Sequence, residues 1–203
     1  MLVLGCGPDE RWKSVAKAVE TFRKGGVVVY PTDTVYGMGC DLLNKKALEQ
    51  VYHIKQLPRQ KPLSIICADL TQVAEYAQVS NSAFKLLKRL LPGPYTFILQ
   101  ATKLVPKVML SKQHTVGIRV PDHPVCLDLV RGLGNPIVNT SASSQLDEVV
   151  SDPEVIERDF HLVDLMLTEG WLESDPSTVV DLTGDQPEIL REGKGDLSPF
   201  LVR

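Results

Sequence analysis

The 203-residue chain is 43% hydrophobic and 23% charged, which excludes disordered, collagen-like and disulfide-scaffold classes. At ~150 residues per domain it reads as one compact unit. Its formal charge of −3 conceals a division: residues 1–146 carry 18 basic and 10 acidic side chains, residues 147–203 carry 4 and 15, so the near-neutral total does not by itself exclude an anionic ligand.

Trp12, Val15, Ala16, Val19 and Phe22 recur at helical spacing and predict a helix over 12–24, with Asp9 as N-cap and Gly25-Gly26 as the stop. The β-branched run Val27–Tyr30, ended by Pro31, predicts a strand buried on both faces. Ala47, Leu48, Val51 and Tyr52 predict a second helix, and Leu63–Cys67 a second strand. Helices over 70–78 and 80–91 follow, the latter with Ser80 as N-cap and Phe84, Leu87 and Leu91 on one face. Beyond the Pro92-Gly93-Pro94 break, strands over 95–99 and 115–120 flank a segment led by Pro106. Pro124 opens a helix stopped at Gly134, and strand Ile137–Asn139 leads into the loop Thr140–Ser144. The last quarter reads as a helix near 152–159 and strands over 162–167, 177–182 and 188–191. Strands alternating with helices predict a single α/β domain on one central, partly parallel sheet.

Cys6, Cys40, Cys67 and Cys126 form no CxxC pair, and His53, His114, His123 and His161 form no HExxH, so no metal site is predicted. The cysteines read as reduced, mostly buried thiols of a cytoplasmic protein. Met1–Asp9 lacks the features of a signal peptide, and no apolar run approaches the ~20 residues of a membrane span. No GxxxxGK[ST] P-loop occurs.

Ligands of α/β sheets sit beyond strand ends, so the loops there carry the candidate chemistry. Pro31–Gly39 combines Thr32, Asp33, Thr34 and Tyr36 with two glycines, either a capped tight turn or a place of close backbone approach to a ligand. Lys55 ends the second helix, where a cation is favourable in any case, yet with Arg59 and Lys61 on a proline-rich, acid-free loop it also suits a polyphosphate. Arg119 lies inside an apolar strand and needs a partner, either a protein carboxylate or a ligand. Asn81–Pro121 holds seven basic residues and no acid, either solvated surface or a nucleic-acid face. Thr140–Ser144 describes an anion-binding turn and an ordinary loop equally well.

Taken in order and spacing, Tyr30–Cys40, Ile54–Pro58, Lys61–Leu63, Pro92–Leu99, Thr115–Pro121, Thr140–Ala142, Pro176–Asp181 and Leu190–Gly193 resemble the YrdC/YciO family over nearly the whole chain. The resemblance implies a twisted, mixed, partly parallel sheet flanked by helices around a large, positively lined cavity. It also implies threonylcarbamoyl-AMP synthase chemistry: L-threonine, bicarbonate and ATP, with Mg²⁺ accompanying the nucleotide, give threonylcarbamoyl-AMP and pyrophosphate for modification of tRNA adenosine. Binding of tRNA or double-stranded RNA is the alternative it implies; no membrane partner is expected. Thr32, Arg119 and Ser177 map onto the threonine side, with Tyr36 as a cavity wall. Lys55, Thr115, Ser141 and Arg191 map onto the nucleotide side, and Lys61 joins them. Lys55, Arg119 and Arg191 are the expected electrostatic stabilisers of the displacement. Leu57 stands where the family's synthases carry the Arg of Lys-x-Arg, with Arg59 two residues on as the candidate replacement. Ser143 stands where they carry the Asn of Ser-x-Asn. Both departures place the chain nearer the YciO branch.

Overall fold

The structure is a computed structural model and describes residues 1–58, 61–142, 151–172 and 175–200. In chain order the elements are β1 (Leu2–Gly5), α1 (Arg11–Arg23), β2 (Val28–Tyr30), β3 (Gly37–Asp41), α2 (Lys45–Ile54), β4 (Ser64–Ile66), α3 (Leu70–Tyr76), β5 (Ala77–Gln78) and α4 (Asn81–Leu90). They continue with β6 (Tyr95–Ala101), β7 (Thr115–Arg119), α5 (Pro124–Leu133), β8 (Ile137–Ser141), α6 (Pro153–Asp159), β9 (Leu165–Thr168), β10 (Thr178–Asp181) and β11 (Glu188–Arg191). Short 3-10 turns occur at Lys107–Met109 and Ser198–Phe200.

The strands form one mixed sheet in the order β1-β9-β2-β3-β8-β4-β7-β6-β10-β11, with β5 paired to β6. The pairs β1·β9, β2·β9, β4·β7 and β6·β10 are parallel and the rest antiparallel. The expectation of a single α/β domain with a mixed, partly parallel sheet is met. Side-chain caps set the helix starts: Asn44, Asp69, Ser80 and Asp152 each accept a backbone N–H from the first turn of the helix they precede. Gly134, at φ +84°, ends α5 in the left-handed conformation that glycine adopts without strain.

Alternation along the buried strands supplies a core on each face. Val28 and Tyr30 of β2 pack with Ala18 and Phe22 of α1 and Val125 and Leu129 of α5. Val27 and Val29 belong to the opposite layer, with Leu48 and Val51 of α2, Val73 of α3, Leu87 of α4 and Ile156 of α6. Covering both faces explains why β2 reads as an uninterrupted apolar run.

Several details differ from the sequence reading. The N-cap of α1 is Glu10, with no side-chain cap bond, not Asp9. Phe84 is exposed, and Ala83 and Leu87 form the buried stripe of α4. The end of the Pro31–Gly39 loop belongs to β3, where Gly39 admits the Val138 backbone, and Gly37 the Asn139 and Tyr30 side chains, closer than a Cβ would allow. Thr140 and Ser141 extend β8 instead of opening a loop, and β9 starts at Leu165 instead of Leu162. The two-residue β5 was not expected, nor was β1.

All four cysteines are free and buried. Burial is the main cause that pushes their thiols up, for Cys6 from 9.0 to about 12 with the Glu169 carboxylate adding to it. A raised folded-state value means that the native state holds the proton more tightly. The associated stability is complete below pH about 9 and is lost as pH rises from there. The native protein is therefore expected to react with a thiol-disulfide reagent far more slowly than the guanidinium-unfolded chain, and its urea midpoint to fall above pH about 9. Rapid native labelling of all four thiols would contradict this.

Candidate active site

The site grows out of strand geometry. On one face of the sheet, Ser64 of β4 pairs with Gly117 of β7 and with Asn139 of β8, and Gly117 pairs on its other side with Ile98 of β6. One two-residue step from Ile98 is Thr96, one from Gly117 is Arg119, and one from Asn139 is Ser141, so all point the same way. Small side chains, and none at Gly117, leave a cavity of about 610 Å³ above this row. Arg119 stands on one wall, Arg191 and Ser177 on another, and Lys61 and Ser141 also line it.

Arg119 is only 5% exposed. Its Nη2 donates to Asp33 Oδ1 at 2.8 Å and to Thr34 Oγ1 at 2.9 Å. Asp33 Oδ2 accepts the Asp122 backbone N–H at 3.0 Å, which fixes the carboxylate between two elements. The partner required by burial is thus a protein carboxylate. Arg119 Nε nevertheless remains buried without a hydrogen-bond partner among the described residues.

Arg191 Nη2 donates to Ser177 Oγ at 3.1 Å and to Ser177 O at 2.8 Å, and its Nε donates to the same carbonyl at 3.1 Å. Ser177 Oγ lies 2.8 Å from Thr96 Oγ1. Burial of the guanidinium, followed by the like charge of Arg119, pushes the Arg191 pKa below its ordinary value. This corner closes through Thr178, whose Oγ1 accepts from the Gly193 and Gly195 backbone N–H groups. A Cβ on Gly193 would lie 2.3 Å from the Pro176 carbonyl, so a glycine is required for the two stretches to meet.

The structure thus brings Arg119, Ser177, Ser141, Lys61 and Arg191 to one cavity. Thr32 is buried and bonded to Thr34 Oγ1 at 3.0 Å and to Val35 O at 2.7 Å, one hydroxyl removed from Arg119. The Tyr36 hydroxyl donates to Gly170 O at 2.6 Å and lies 3.1 Å from Thr168 Oγ1, at the end of β9. Thr115 Oγ1 lies 2.7 Å from Ser111 Oγ. Lys55 caps α2 with its Nζ 5.4 Å from the centre of the Phe160 ring, and Leu57 faces a neighbouring hollow with Tyr52 and His161. None of these five lines the Arg119–Arg191 cavity. Arg59 and Ser143 lie outside the described residues. Sequence reading did not assign Asp33, Ser64, Thr96 or Asn139. A signal for Asp33 was present, as the one acid in the motif beside a buried arginine. The other three show only once the strand pairing is known.

A cationic, hydroxyl-lined hollow on the open face of an α/β sheet is a site for a small polyanion. The family model for Sua5, YciO and YrdC, described as "Telomere recombination", matches residues 20–193, and the chain belongs to that family. YciO of Escherichia coli K12 is 45% identical over 198 residues, 96% of each chain. The crystal structure of E. coli YciO superposes with a TM-score of 0.90 over 98% of both chains. A threonylcarbamoyl-AMP synthase of Hydrogenovibrio crunogenus is 34% identical over 170 residues, 82% of this chain and 91% of its own. Pyrococcus abyssi Sua5, solved in complex with L-threonine, superposes with a TM-score of 0.91 at 30% identity, over 98% of this chain and 59% of that one. The greater identity to YciO agrees with the branch that Leu57 and Ser143 indicate. Among the described residues no helix is long and apolar enough to cross a membrane.

Proposed function

We propose that this chain condenses L-threonine, bicarbonate and ATP into threonylcarbamoyl-AMP, pyrophosphate and water, the water leaving as the threonine amine and bicarbonate form the carbamate, for the threonylcarbamoyl modification of tRNA adenosine. The observation that carries this reading is the convergence of the Arg119 and Arg191 guanidiniums and several hydroxyl groups on one cavity whose described lining holds no carboxylate. A carboxylate or phosphate oxygen placed there meets two positive charges held by neighbouring residues. Similarity to a threonylcarbamoyl-AMP synthase and to a threonine-bound structure supports the choice of substrates.

In this reading the carbamate of threonine attacks the α-phosphorus; a new P–O bond forms as the bond to the departing pyrophosphate breaks. Arg119, held by Asp33 and Thr34, supplies a fixed positive charge on the carboxylate side of the cavity. Arg191, held by Ser177, faces the phosphates, where a fixed guanidinium stabilises the charge that develops in displacement. The described lining holds cations, hydroxyls and an amide but no carboxylate or imidazole, which suits a reaction accelerated by positioning instead of proton abstraction. Among the described residues no group of His, Cys, Asp or Glu could hold a metal. Mg²⁺ would enter this site with ATP and offset part of the phosphate charge that Lys61 and Arg191 face.

The test is incorporation of radiolabelled threonine together with pyrophosphate release, in ATP, bicarbonate and Mg²⁺. Product is expected from the native chain, and Arg191→Met is expected to lower kcat/KM for ATP by roughly 100-fold while the variant still unfolds in one cooperative thermal transition. Absence of product from folded protein at high concentration overturns the proposal. If that same protein then bound duplex RNA through Lys85, Lys88 and Arg89, all exposed on α4, the RNA-binding reading would replace it.

A further inference from the structure

We infer that the groove between α2 and residues 102–108 is a docking surface for an acidic, amphipathic helix of a partner protein. The groove encloses about 590 Å³ and shares no lining residue with the Arg119–Arg191 cavity. Scattered exposed leucines need no explanation, but here they converge. Of nine exposed large hydrophobic residues among those described, Leu43 (58% exposed), Leu104 (56%) and Val108 (39%) line this one groove. Contiguous apolar surface rimmed by polar groups marks an interaction site.

The walls are fixed before any partner arrives. The Tyr52 hydroxyl donates to Val108 O at 3.3 Å, and the Leu43 N–H donates to Asp41 Oδ1 at 3.0 Å. Thr102 Oγ1 ties the opposite wall to Glu75 O at 2.8 Å and accepts the Leu104 N–H at 3.4 Å. Backbone anchored in this way holds Leu43 and Leu104 in water without letting them fold inward, so docking carries little ordering cost.

Charge selects the occupant. Lys45, Lys103 and Lys107 line the groove against a single acid, Glu49, and the nearby Asp41 carboxylate is already engaged by Leu43 N and by Asn135 Nδ2 at 3.5 Å. A partner with acidic flanks complements this rim, and one with basic flanks is repelled. No lining residue lies in a strand, so there is no sheet edge to receive an extended peptide. A helix presenting apolar side chains at i, i+3, i+4 and i+7 fits a groove walled by a helix and a loop.

The experiment uses fluorescence anisotropy of the full chain with a labelled synthetic helix carrying leucines at those positions and glutamates elsewhere, against a counterpart with lysines in place of the glutamates. The acidic peptide is expected to saturate in the micromolar range and the basic one not to bind. Leu104→Ser, or Lys103→Glu with Lys107→Glu, is expected to weaken binding at least tenfold, whereas Phe84→Ser, at an exposed residue elsewhere, leaves it unchanged. Equal binding of both peptides, or binding that survives Leu104→Ser, overturns the proposal. So does sedimentation showing self-association that Leu104→Ser abolishes, since the occupant is then a second copy. Displacement of the acidic peptide by duplex RNA at the same groove overturns it as well.

Discussion

Asp33→Ala is expected to destabilise the protein by about 3–5 kcal/mol, the usual result of removing one partner from a buried ion pair. For a chain of this length that corresponds to a fall in Tm of roughly 6–20 °C. Arg119 and Asp33 have side chains only 6% and 8% exposed and meet at 2.8 Å, so the guanidinium left behind keeps a full charge with little access to water. The loss reaches further, because Asp33 also accepts the Asp122 N–H, and that donor is left without its acceptor. Charge and packing are separated by a second variant. Asp33→Ala combined with Arg119→Met is expected to recover most of the lost stability, since an apolar pair of similar volume substitutes well for a buried ion pair. Differential scanning calorimetry of the two variants decides the matter; a double variant no more stable than the single one would show that the cost was a lost contact network and not an isolated charge.

Gly39→Ala is expected to be still more damaging, at about 4 kcal/mol or more, and to yield little soluble protein. A Cβ built at Gly39 falls 1.8 Å from the Val138 carbonyl oxygen and 2.9 Å from the Tyr30 hydroxyl. Relief by movement is blocked, because β3 is hydrogen-bonded on both sides, to β2 and to β8. Asn139, next to Val138, is part of the cavity floor, and its Oδ1 accepts the Tyr30 hydroxyl at 3.0 Å, so displacement there propagates to the site. Gly134→Ala is the matched control. Its φ is +84° but no atom lies within 4 Å of the added Cβ, so only backbone strain of about 1 kcal/mol is at stake. Urea unfolding of both variants should rank them in that order, and equal effects would refute the steric argument.

The fold was legible where local chemistry sets it. Ser80, a side chain that competes for backbone N–H groups, caps α4 as its sequence context indicates, and the β-branched run at β2 forms a strand covered on both faces; the caps Asn44, Asp69 and Asp152 emerged only with the structure. β3 was not legible, because its glycines carry no periodic signal and are required by distant partners, Gly39 by the Val138 carbonyl about a hundred residues away and Gly37 by the Asn139 and Tyr30 side chains. The same holds for the site. That Arg119 needs a partner follows from its burial alone, yet which carboxylate supplies it depends on how the loop before β3 turns toward β7. Ser64, Thr96 and Asn139 are unremarkable residues until pairing of β4, β6 and β8 around β7 sets them in one row. Thr32 and Tyr36 show the converse: their motif is conspicuous, but their hydroxyls are spent on Thr34, Val35 and Gly170.

The two guanidiniums of the cavity rest on foundations of unequal strength. Arg119 ends β7, which has β4 on one side and β6 on the other, deep in the sheet. Arg191 ends β11, the last strand of the order, which is paired to β10 alone across an irregular register. Opening free energies fall toward such margins, so one jaw of the site is stiff and the other is compliant. An anion grasped by both would act as a rivet, lending the outermost strand the firmness of the middle of the sheet.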